Sequence, residues 1–298
     1  RAREILAAGG HVVANGGNVD AGDVSWVHYV HAAYKPSAAG ALNAAITATK
    51  HRWYVAAESR ALTGARLIIC NSARTVNDVV DGVGIDPKRV GRVYYGIDPV
   101  RFRPTHDSAS AKAALGLDVL RPVVLFVGAL GDRRKGFDTL FAAWCDLCRV
   151  PEWDAHLLVA GSGAELGAWQ ARAARRGDVA KRMTFLGYCT DMPALMAAAD
   201  LMVHPARYEA YGLGVHEALC CGVPAVVSAS AGVAERFPHD LRPLLLQDVE
   251  SVSELTSRLR TWRDEQDRFR DRAVAFSAAL GARTWDDMAR DIVAMARS

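Results

Sequence analysis

Short apolar runs bounded by glycine, proline or polar residues alternate along this chain with longer segments whose apolar residues repeat at helical spacing. The short runs have the length of buried strands and the longer segments that of helices. Strands are predicted at residues 12–14, 24–34, 65–70, 90–95, 123–127, 156–160, 201–204 and 225–228. Helices are predicted at residues 1–8, 42–61, from Ala73, at 137–147, within 250–280 and at 285–296. Continuous apolar strands between helices are typical of parallel sheets covered on both faces, so the pattern predicts an α/β fold.

Residues 103–120 contain a proline and a Ser/Ala run, which is typical of a linker. The chain is therefore predicted to form two Rossmann-like domains, residues 1–104 and residues 119–282. In the helix at 42–61, Trp53 and Tyr54 are predicted to be core residues.

The chain is organised around residues 185–235, where a strand leads into a glycine-containing loop, then a helix, then a second strand. Such a loop directs free backbone N–H groups and the positive end of a helix dipole at one point, which favours an anion such as a diphosphate. Glu209 on the loop and Glu217 in the first turns of the helix are each able to accept the two hydrogen bonds of a vicinal diol. Alternatively, Glu217 is a first-turn carboxylate on a solvated face.

A second candidate loop spans residues 128–136 and contains Arg133, Arg134 and Lys135 between a strand and a helix. Three adjacent cations in this position indicate a phosphate clamp that neutralises a leaving diphosphate, or else a solvated basic loop. Gly161-Ser162-Gly163 follows the next strand. It is weak evidence for phosphate binding, and no third glycine follows at the spacing of a nicotinamide-binding fingerprint.

Two histidines, His28 and His31, lie in the run at residues 24–34. In a strand they would face opposite sides, and in a helix they would share a face. From the residues alone, one half-buried and one exposed histidine is the alternative to a functional role.

The amino-acid composition limits which classes of protein this chain can belong to. In 298 residues, 51% are hydrophobic and 23% charged, as in ordinary globular proteins, and the net charge of +3 does not call for nucleic acid. No apolar run has the length of a membrane span. Six cysteines are scattered, and Cys145-x-x-Cys148 lacks a second pair, so packing is favoured over a redox or metal role and a reducing cytoplasm is the default. No Asp-x-Asp metal motif occurs, and no hydrolase-like carboxylate pair is found.

Two motifs carry a resemblance to a known family. Glu209 and Glu217 are separated by seven residues and followed by GVPAVVS, and Glu209 itself lies within PARYEAYG. This stretch resembles the carboxyl-terminal domain of retaining GT-B glycosyltransferases of family four. The resemblance implies the GT-B fold, with two Rossmann-like domains whose parallel sheets face each other across a cleft.

The resemblance also implies roles. Glu217 holds the ribose of a nucleotide-diphosphate sugar, Glu209 faces the donor sugar, and Lys135 contacts the diphosphate. Because Ala129 stands where the family has an arginine, either Arg133 or Arg134 replaces it or the clamp is weaker. His31, with His28 as second choice, reaches into the cleft. The remaining donor-binding positions are Gly128, Gly161, Tyr188, Tyr211, Gly212, Leu213 and Gly214.

The sequence departs from the family in its amino-terminal part. The opening strand and Gly-Gly loop are not recognised, so that domain is predicted to be incomplete, and Tyr94-Tyr95 replace the usual Pro-Asn. The family also implies that the last helix, within residues 283–298, crosses back to the amino-terminal domain with Trp285 as an anchor.

The predicted function is therefore transfer of a sugar from a nucleotide-diphosphate sugar to a saccharide or lipid-linked hydroxyl acceptor. The resemblance implies retention of anomeric configuration, no metal and no cofactor. The expected location is the cytoplasm, with peripheral contact at the inner membrane face. Two alternatives stay open: an epimerase-like nucleotide-sugar enzyme that transfers nothing, and a degenerate or truncated nucleotide-sugar-binding protein.

Overall fold

A computed structural model describes residues 1–19, 23–36, 41–105, 107–131 and 133–298. His106 in the predicted linker and Asp132 in the predicted basic loop lie outside the described residues. The described residues form two parallel sheets with helices packed around them. The predicted α/β fold with two parallel sheets is confirmed. The boundaries of the two domains remain the prediction made above.

The first sheet is built from consecutive strands in the order β1-β2-β3-β4, all parallel. The strands are β1 Val13–Asn15, β2 Val24–Val27, β3 Leu67–Cys70 and β4 Val90–Arg92. The helices are α1 Ala2–Ala7, α2 Ala41–Gly64 and α3 Ala73–Asn77. The hydrophobic core against this first sheet is mainly aliphatic and includes Val27, Leu62 and Ile68.

The second sheet has six parallel strands in the order β10-β9-β8-β5-β6-β7. The strands are β5 Val123–Val127, β6 His156–Ala160, β7 Met183–Gly187, β8 Leu201–His204, β9 Ala225–Ser228 and β10 Leu245–Leu246. The helices are α4 Ser108–Ala114, α5 Phe137–Leu147, α6 Leu166–Ala174, α7 Gly177–Ala180, α8 Met192–Ala198, α9 Leu213–Cys220, α10 Val252–Asp264, α11 Gln266–Gly281 and α12 Trp285–Arg297. The strand order reverses between β5 and β8, and in such sheets ligands bind beyond the carboxyl ends of the strands at that point.

The last helix leaves the second sheet and packs on the first. Met288, Ile292 and Ala296 recur every four residues along α12 and contact Val24 and Ile69. The side chain of Thr284 caps the helix in a capping box with Asp287. The ring of Trp285 lies 6.1 Å from that of Tyr95.

The run predicted as a strand at residues 24–34 ends as a strand at Val27, and a short 3₁₀ turn follows at His31–Ala33. The backbone N–H groups there bond to side chains instead of a neighbouring strand. The carboxylate of Glu58 accepts from His31 and Ala32 at 3.0 and 3.2 Å. The hydroxyl oxygen of Tyr208 accepts from Val30 at 3.1 Å.

The prediction that Trp53 and Tyr54 are core residues is wrong, since they are 63% and 44% exposed. Among the described side chains of α2, the buried ones lie near its carboxyl end, at Glu58, Ala61 and Leu62. Among the described side chains, burial is thus confined to this end of the helix, and Ile46, Trp53 and Tyr54 stay at the surface.

Candidate functional site

Two loops meet where the order of the second sheet reverses. The loop after β5 ends at Gly136, whose φ of 70° opens α5. A Cβ atom on Gly136 would lie 1.9 Å from the carbonyl oxygen of Pro205, in the loop after β8. Only glycine allows this backbone approach, because every other residue would bring a Cβ into contact with the carbonyl. The cations of one loop are thereby brought next to the carboxylate of the other.

The loop after β6 joins the same region. A Cβ atom on Gly161 would lie 1.8 Å from the carbonyl oxygen of Gly128. Gly161 is therefore required for packing between loops, which accounts for this glycine without any ligand.

The carboxylate of Glu209 is the centre of the site. Its Oε2 lies 2.6 Å from Nζ of Lys135, 2.9 Å from Nε2 of His204 and 4.0 Å from a guanidinium nitrogen of Arg134. Only 15% of the Glu209 side chain is exposed. Burial alone would raise the pKa of Glu209, but the hydrogen bonds and charges around its carboxylate outweigh burial and lower the pKa well below its usual range. Glu209 is thus ionised at neutral pH.

Burial lowers the pKa of His204, although the carboxylate of Glu209 opposes this effect. We therefore treat its imidazole as neutral, with Nε2–H donating to Glu209 and Lys135 carrying the compensating charge.

The two arginines that the sequence left open differ in their surroundings. Arg134 lies near Glu209, donates to the carbonyl oxygen of Tyr208 at 3.3 Å and is 20% exposed. Arg133 is 58% exposed and pairs with Asp138 at 2.9 Å. The structure thus brings Arg134 to the central cluster and turns Arg133 toward a separate ion pair.

Glu217 lies on α9, whose first turn follows Gly212 at a φ of 105°. Burial raises the pKa of Glu217 to about 7, with the charge of Arg101 acting in the opposite direction. Among the described residues, no hydrogen-bond donor is recorded at its carboxylate. The N–H groups of Leu213 and Gly214, in the first turn of the helix, have no intrahelical acceptor. A half-buried carboxylate without a donor therefore lies on the same helix as free N–H groups.

Tyr211 is buried in this structure, and its place in the donor site stays a prediction. The ring is 2% exposed and its hydroxyl is hydrogen bonded to Nδ1 of His216 at 2.6 Å. Burial of this apolar ring against Tyr95 explains its position.

Gly128, Gly161 and Tyr188 line one cavity of about 250 Å³ at the carboxyl ends of β5, β6 and β7. Ala129, Cys189 and Met192 also line it, and Tyr188 is 79% exposed. The cavity is mostly apolar at its walls and can accept a flat ring.

The two histidines of the first sheet occupy different environments. His28 hydrogen bonds through Nδ1 to the hydroxyl of Tyr95, and burial lowers its pKa. The ring of His31 stacks on Tyr54 at 5.1 Å and lies 4.9 Å from Tyr29. The ring of Tyr29 is in turn 5.8 Å from the guanidinium of Arg134. His31 is therefore linked through Tyr29 to the cation cluster.

Contacts from the first sheet's side fix the segment that carries Glu209. The hydroxyls of Ser72 and Thr75 donate to the carbonyl oxygen of Ala210 at 2.6 and 3.1 Å. Tyr208, on the other side of Glu209, accepts from Val30, as described above. Both neighbours of Glu209 are thus held by residues outside the second sheet.

Sequence reasoning missed His204 and Tyr208 as parts of this site. His204 was visible only as the end of an apolar strand, although its position five residues before a candidate glutamate was a usable signal. Tyr208 contacts residues far along the chain, for which no local signal exists.

Among the described residues, no group of three or more histidine, cysteine, aspartate or glutamate side chains is arranged to hold a metal ion. No helix in the described ranges is long and apolar enough to span a bilayer.

Part of this chain matches a known protein family and its members. Residues 121–262 match the family described as Glycosyl transferases group 1. The chain is 37% identical over 150 residues to the lipopolysaccharide core biosynthesis mannosyltransferase LpsB of Rhizobium meliloti strain 1021. That alignment covers 48% of this chain and 41% of the relative, so the chain spans well under half of the relative's length.

Two solved structures share the fold over nearly the whole chain. WaaG, a glycosyltransferase involved in lipopolysaccharide biosynthesis, superposes with a TM-score of 0.77 at 23% identity, covering 97% of this chain and 80% of WaaG. Anabaena Alr3699/HepE in complex with UDP gives a TM-score of 0.73 at 21% identity, covering 99% and 74%. The predicted GT-B fold is confirmed by these structures.

Proposed function

We propose that this chain, in which residues 121–262 match the group 1 glycosyl transferases, transfers a sugar from a nucleotide-diphosphate sugar to a hydroxyl acceptor. One observation carries the proposal. At the strand reversal, Lys135 and Arg134 meet the ionised Glu209, beside a helix that presents free N–H groups and the unpaired carboxylate of Glu217. Charged groups of both signs in this arrangement suit a diphosphate joined to two polyhydroxylated rings.

The leaving diphosphate needs positive charge as its bond to the sugar breaks. Lys135 and Arg134 supply fixed cations, and the N–H groups of Leu213 and Gly214 supply oriented dipoles. These groups are placed before the reaction begins, so little reorganisation is required. Because the protein itself supplies the cations, we propose that the reaction needs no metal or cofactor, and full activity in excess EDTA is expected.

The donor sugar is proposed to lie against Glu209. All recorded contacts of this carboxylate use Oε2, and none among the described residues uses Oε1. Oε1 is therefore left to accept from a sugar hydroxyl. We assign His31 to the cleft through its contact with Tyr29, with His28 held by Tyr95 instead.

Retention of configuration is proposed on the family resemblance. Proton NMR of the first product formed, before any anomeric equilibration, decides this point. A product of inverted configuration would contradict it.

The nucleotide is proposed to place its base in the cavity lined by Gly128, Gly161 and Tyr188, and its ribose against Glu217. UDP is bound by the Anabaena protein of the same fold. A thermal-shift panel of UDP, GDP, ADP and TDP with their sugar conjugates tests which nucleotide stabilises this chain. If none does, the donor site is not assembled and the degenerate alternative is favoured. If a nucleotide sugar binds but is isomerised without an acceptor, the epimerase-like alternative is favoured.

The two arginines give a sharper test of the clamp. We expect Arg134→Met to lower the rate of nucleotide release from the donor by about 10- to 100-fold, since it removes one of the two cations near the diphosphate. Arg133→Met removes an equal charge from the neighbouring residue, but its side chain pairs with Asp138, and a change below about threefold is expected. Steady-state rates of the two variants, measured side by side, check this. Equal losses, or a larger loss for Arg133, would contradict the assignment.

The acceptor is proposed to be a saccharide or a lipid-linked hydroxyl, at the surface of an anionic membrane. Along α2, Ile46, Trp53 and Tyr54 are exposed together with Lys50 and Arg52, and the one acidic residue of the helix, Glu58, is buried. Exposed aromatic and basic side chains on one helix suit an anionic lipid surface. The six free cysteines support a reducing compartment such as the cytoplasm.

We expect the double variant Trp53→Ser and Tyr54→Ser to lose most of its sedimentation with vesicles of phosphatidylglycerol and phosphatidylcholine. Leu120→Ser removes an even more exposed apolar side chain elsewhere and serves as the control. Wild-type protein that does not sediment with these vesicles, or sediments equally with phosphatidylcholine alone, would contradict the membrane proposal.

A further inference from the structure

His204 ends β8 with its side chain almost entirely buried, at 6% exposed. Its Nε2 lies 2.9 Å from Oε2 of Glu209. Its other ring nitrogen, Nδ1, is buried and has no hydrogen-bond partner among the described residues. A neutral imidazole carries one proton, and a carboxylate only accepts, so the proton has to sit on Nε2. The surroundings therefore select one tautomer.

The charges around His204 also keep it neutral. Lys135 and Arg134 approach Glu209 from the loop after β5, and both of their charges disfavour a third cation there. A neutral donor adds no positive charge to the cluster. It can therefore hold the carboxylate without itself attracting the negative charge of a ligand, as a further cation would.

We propose that His204 is a positioning residue that fixes Oε2 of Glu209, so that Oε1 faces the donor sugar while Lys135 serves the diphosphate. This inference rests on the proposed function. In the ligand-free protein, Lys135 and His204 share Oε2. When a diphosphate draws the ammonium of Lys135 toward itself, the hydrogen bond from His204 remains and keeps the carboxylate in place.

The two amides that resemble histidine separate this role from simple filling of the core. The side-chain nitrogen of glutamine reaches about as far as Nε2 of histidine, whereas that of asparagine stops near Nδ1. His204→Gln therefore keeps a neutral donor at Glu209, His204→Asn places it out of reach, and His204→Leu removes it. A purely structural role would rank these variants by stability and would not favour glutamine.

The measurement compares two quantities in the full chain. The probe is whichever of UDP-glucose, GDP-mannose, ADP-glucose and TDP-glucose most stabilises the wild-type protein. We expect His204→Leu and His204→Asn to lower the kcat of nucleotide release by about 10- to 100-fold, because Glu209 is displaced. Affinity for the matching nucleoside diphosphate, which lacks the sugar, should change less than about twofold. His204→Gln should recover most of the rate.

A wild-type kcat in His204→Leu, or equal losses of diphosphate affinity and kcat in all three variants, would overturn the inference. Nitrogen-15 NMR of the wild-type imidazole tests it without any donor. A neutral ring protonated on Nε2 in the wild type, with the tautomer no longer fixed in Glu209→Gln, supports the inference. A ring protonated on Nδ1 or on both nitrogens overturns it. Absence of binding by every nucleotide sugar would refute the proposed function and leave this NMR result to decide the contact alone.

Discussion

Replacing Lys135 by methionine is expected to lower the rate of sugar transfer by about 10²- to 10³-fold. Its Nζ lies 2.6 Å from Glu209 and its side chain is 17% exposed, so solvent screens its charge poorly. The lost cation would otherwise stabilise charge that develops on the departing diphosphate. Transition-state stabilisation should fall more than binding of the ground state, so kcat should fall more than the affinity for the donor.

Two controls separate this loss from unfolding. Lys181→Met removes an exposed lysine from the same domain and should leave the rate unchanged. Because Lys135→Met leaves the largely buried charge of Glu209 with fewer partners, the variant is also expected to be less stable. Adding Glu209→Gln removes that charge and should recover thermal stability without recovering activity. A double variant with restored activity, or a Lys135→Met protein within about threefold of the wild-type rate, would show that Lys135 does not act on the diphosphate.

Replacing Glu217 by glutamine is expected to weaken binding of the nucleotide sugar by about 10- to 100-fold. A hydrogen bond accepted by a charged group such as a carboxylate is worth about 1.5–3 kcal/mol. Glutamine is uncharged and has one acceptor oxygen, whereas the carboxylate has two. In the wild-type protein, affinity should also fall as the pH is lowered through about 7, because protonation removes the acceptor charge of Glu217. A nucleotide sugar, whose phosphates do not titrate in this range, is the appropriate ligand. Titration calorimetry at several pH values measures both effects.

The same substitution should stabilise the ligand-free protein. The pKa of Glu217 is raised by folding, so its contribution to stability is fully present below its unfolded pKa and is lost as the pH rises through about 7. Glutamine avoids this loss. We expect Glu217→Gln to be more stable than the wild type by about 1–2 kcal/mol at pH 8, since partial exposure reduces the full effect, and to be equal to it at pH 4.

Glu152→Gln, at an exposed position, is the matched control and should change neither quantity. If replacing Glu217 weakens ligand binding and also stabilises the ligand-free protein, then Glu217 serves the ligand at a cost in folding stability. Unchanged affinity in Glu217→Gln, or a loss of stability at pH 8, would contradict the assignment of Glu217 to the ribose.

Much of the second sheet could be predicted because its signals are local. The strands at residues 123–127, 156–160, 201–204 and 225–228 are continuous apolar runs closed by turn residues, and the structure has strands at these same residues. The first sheet was harder, since the run at residues 24–34 has strand composition throughout. Its second half bonds to Glu58 and Tyr208, which are distant in sequence.

In the candidate site, too, the features with local sequence signals could be predicted and those that depend on distant residues could not. The glycine loops around Lys135 and Glu209 were visible in the sequence, and the structure places those two side chains in contact. The choice between Arg133 and Arg134 was not visible. Adjacent residues in a 3₁₀ turn point in different directions, and only the position of Asp138 shows which one leaves the cluster. The contact between His204 and Glu209 crosses a turn whose geometry depends on Gly136 and Pro205.

A crystal structure of the chain soaked with the nucleotide diphosphate that stabilises it most tests the central claim directly. We expect the diphosphate between Lys135 and the N–H groups of Leu213 and Gly214, with both ribose hydroxyls on Glu217 and the base in the cavity beside Tyr188. A nucleotide bound elsewhere on the chain, or a diphosphate that contacts neither Lys135 nor the start of α9, would contradict the account.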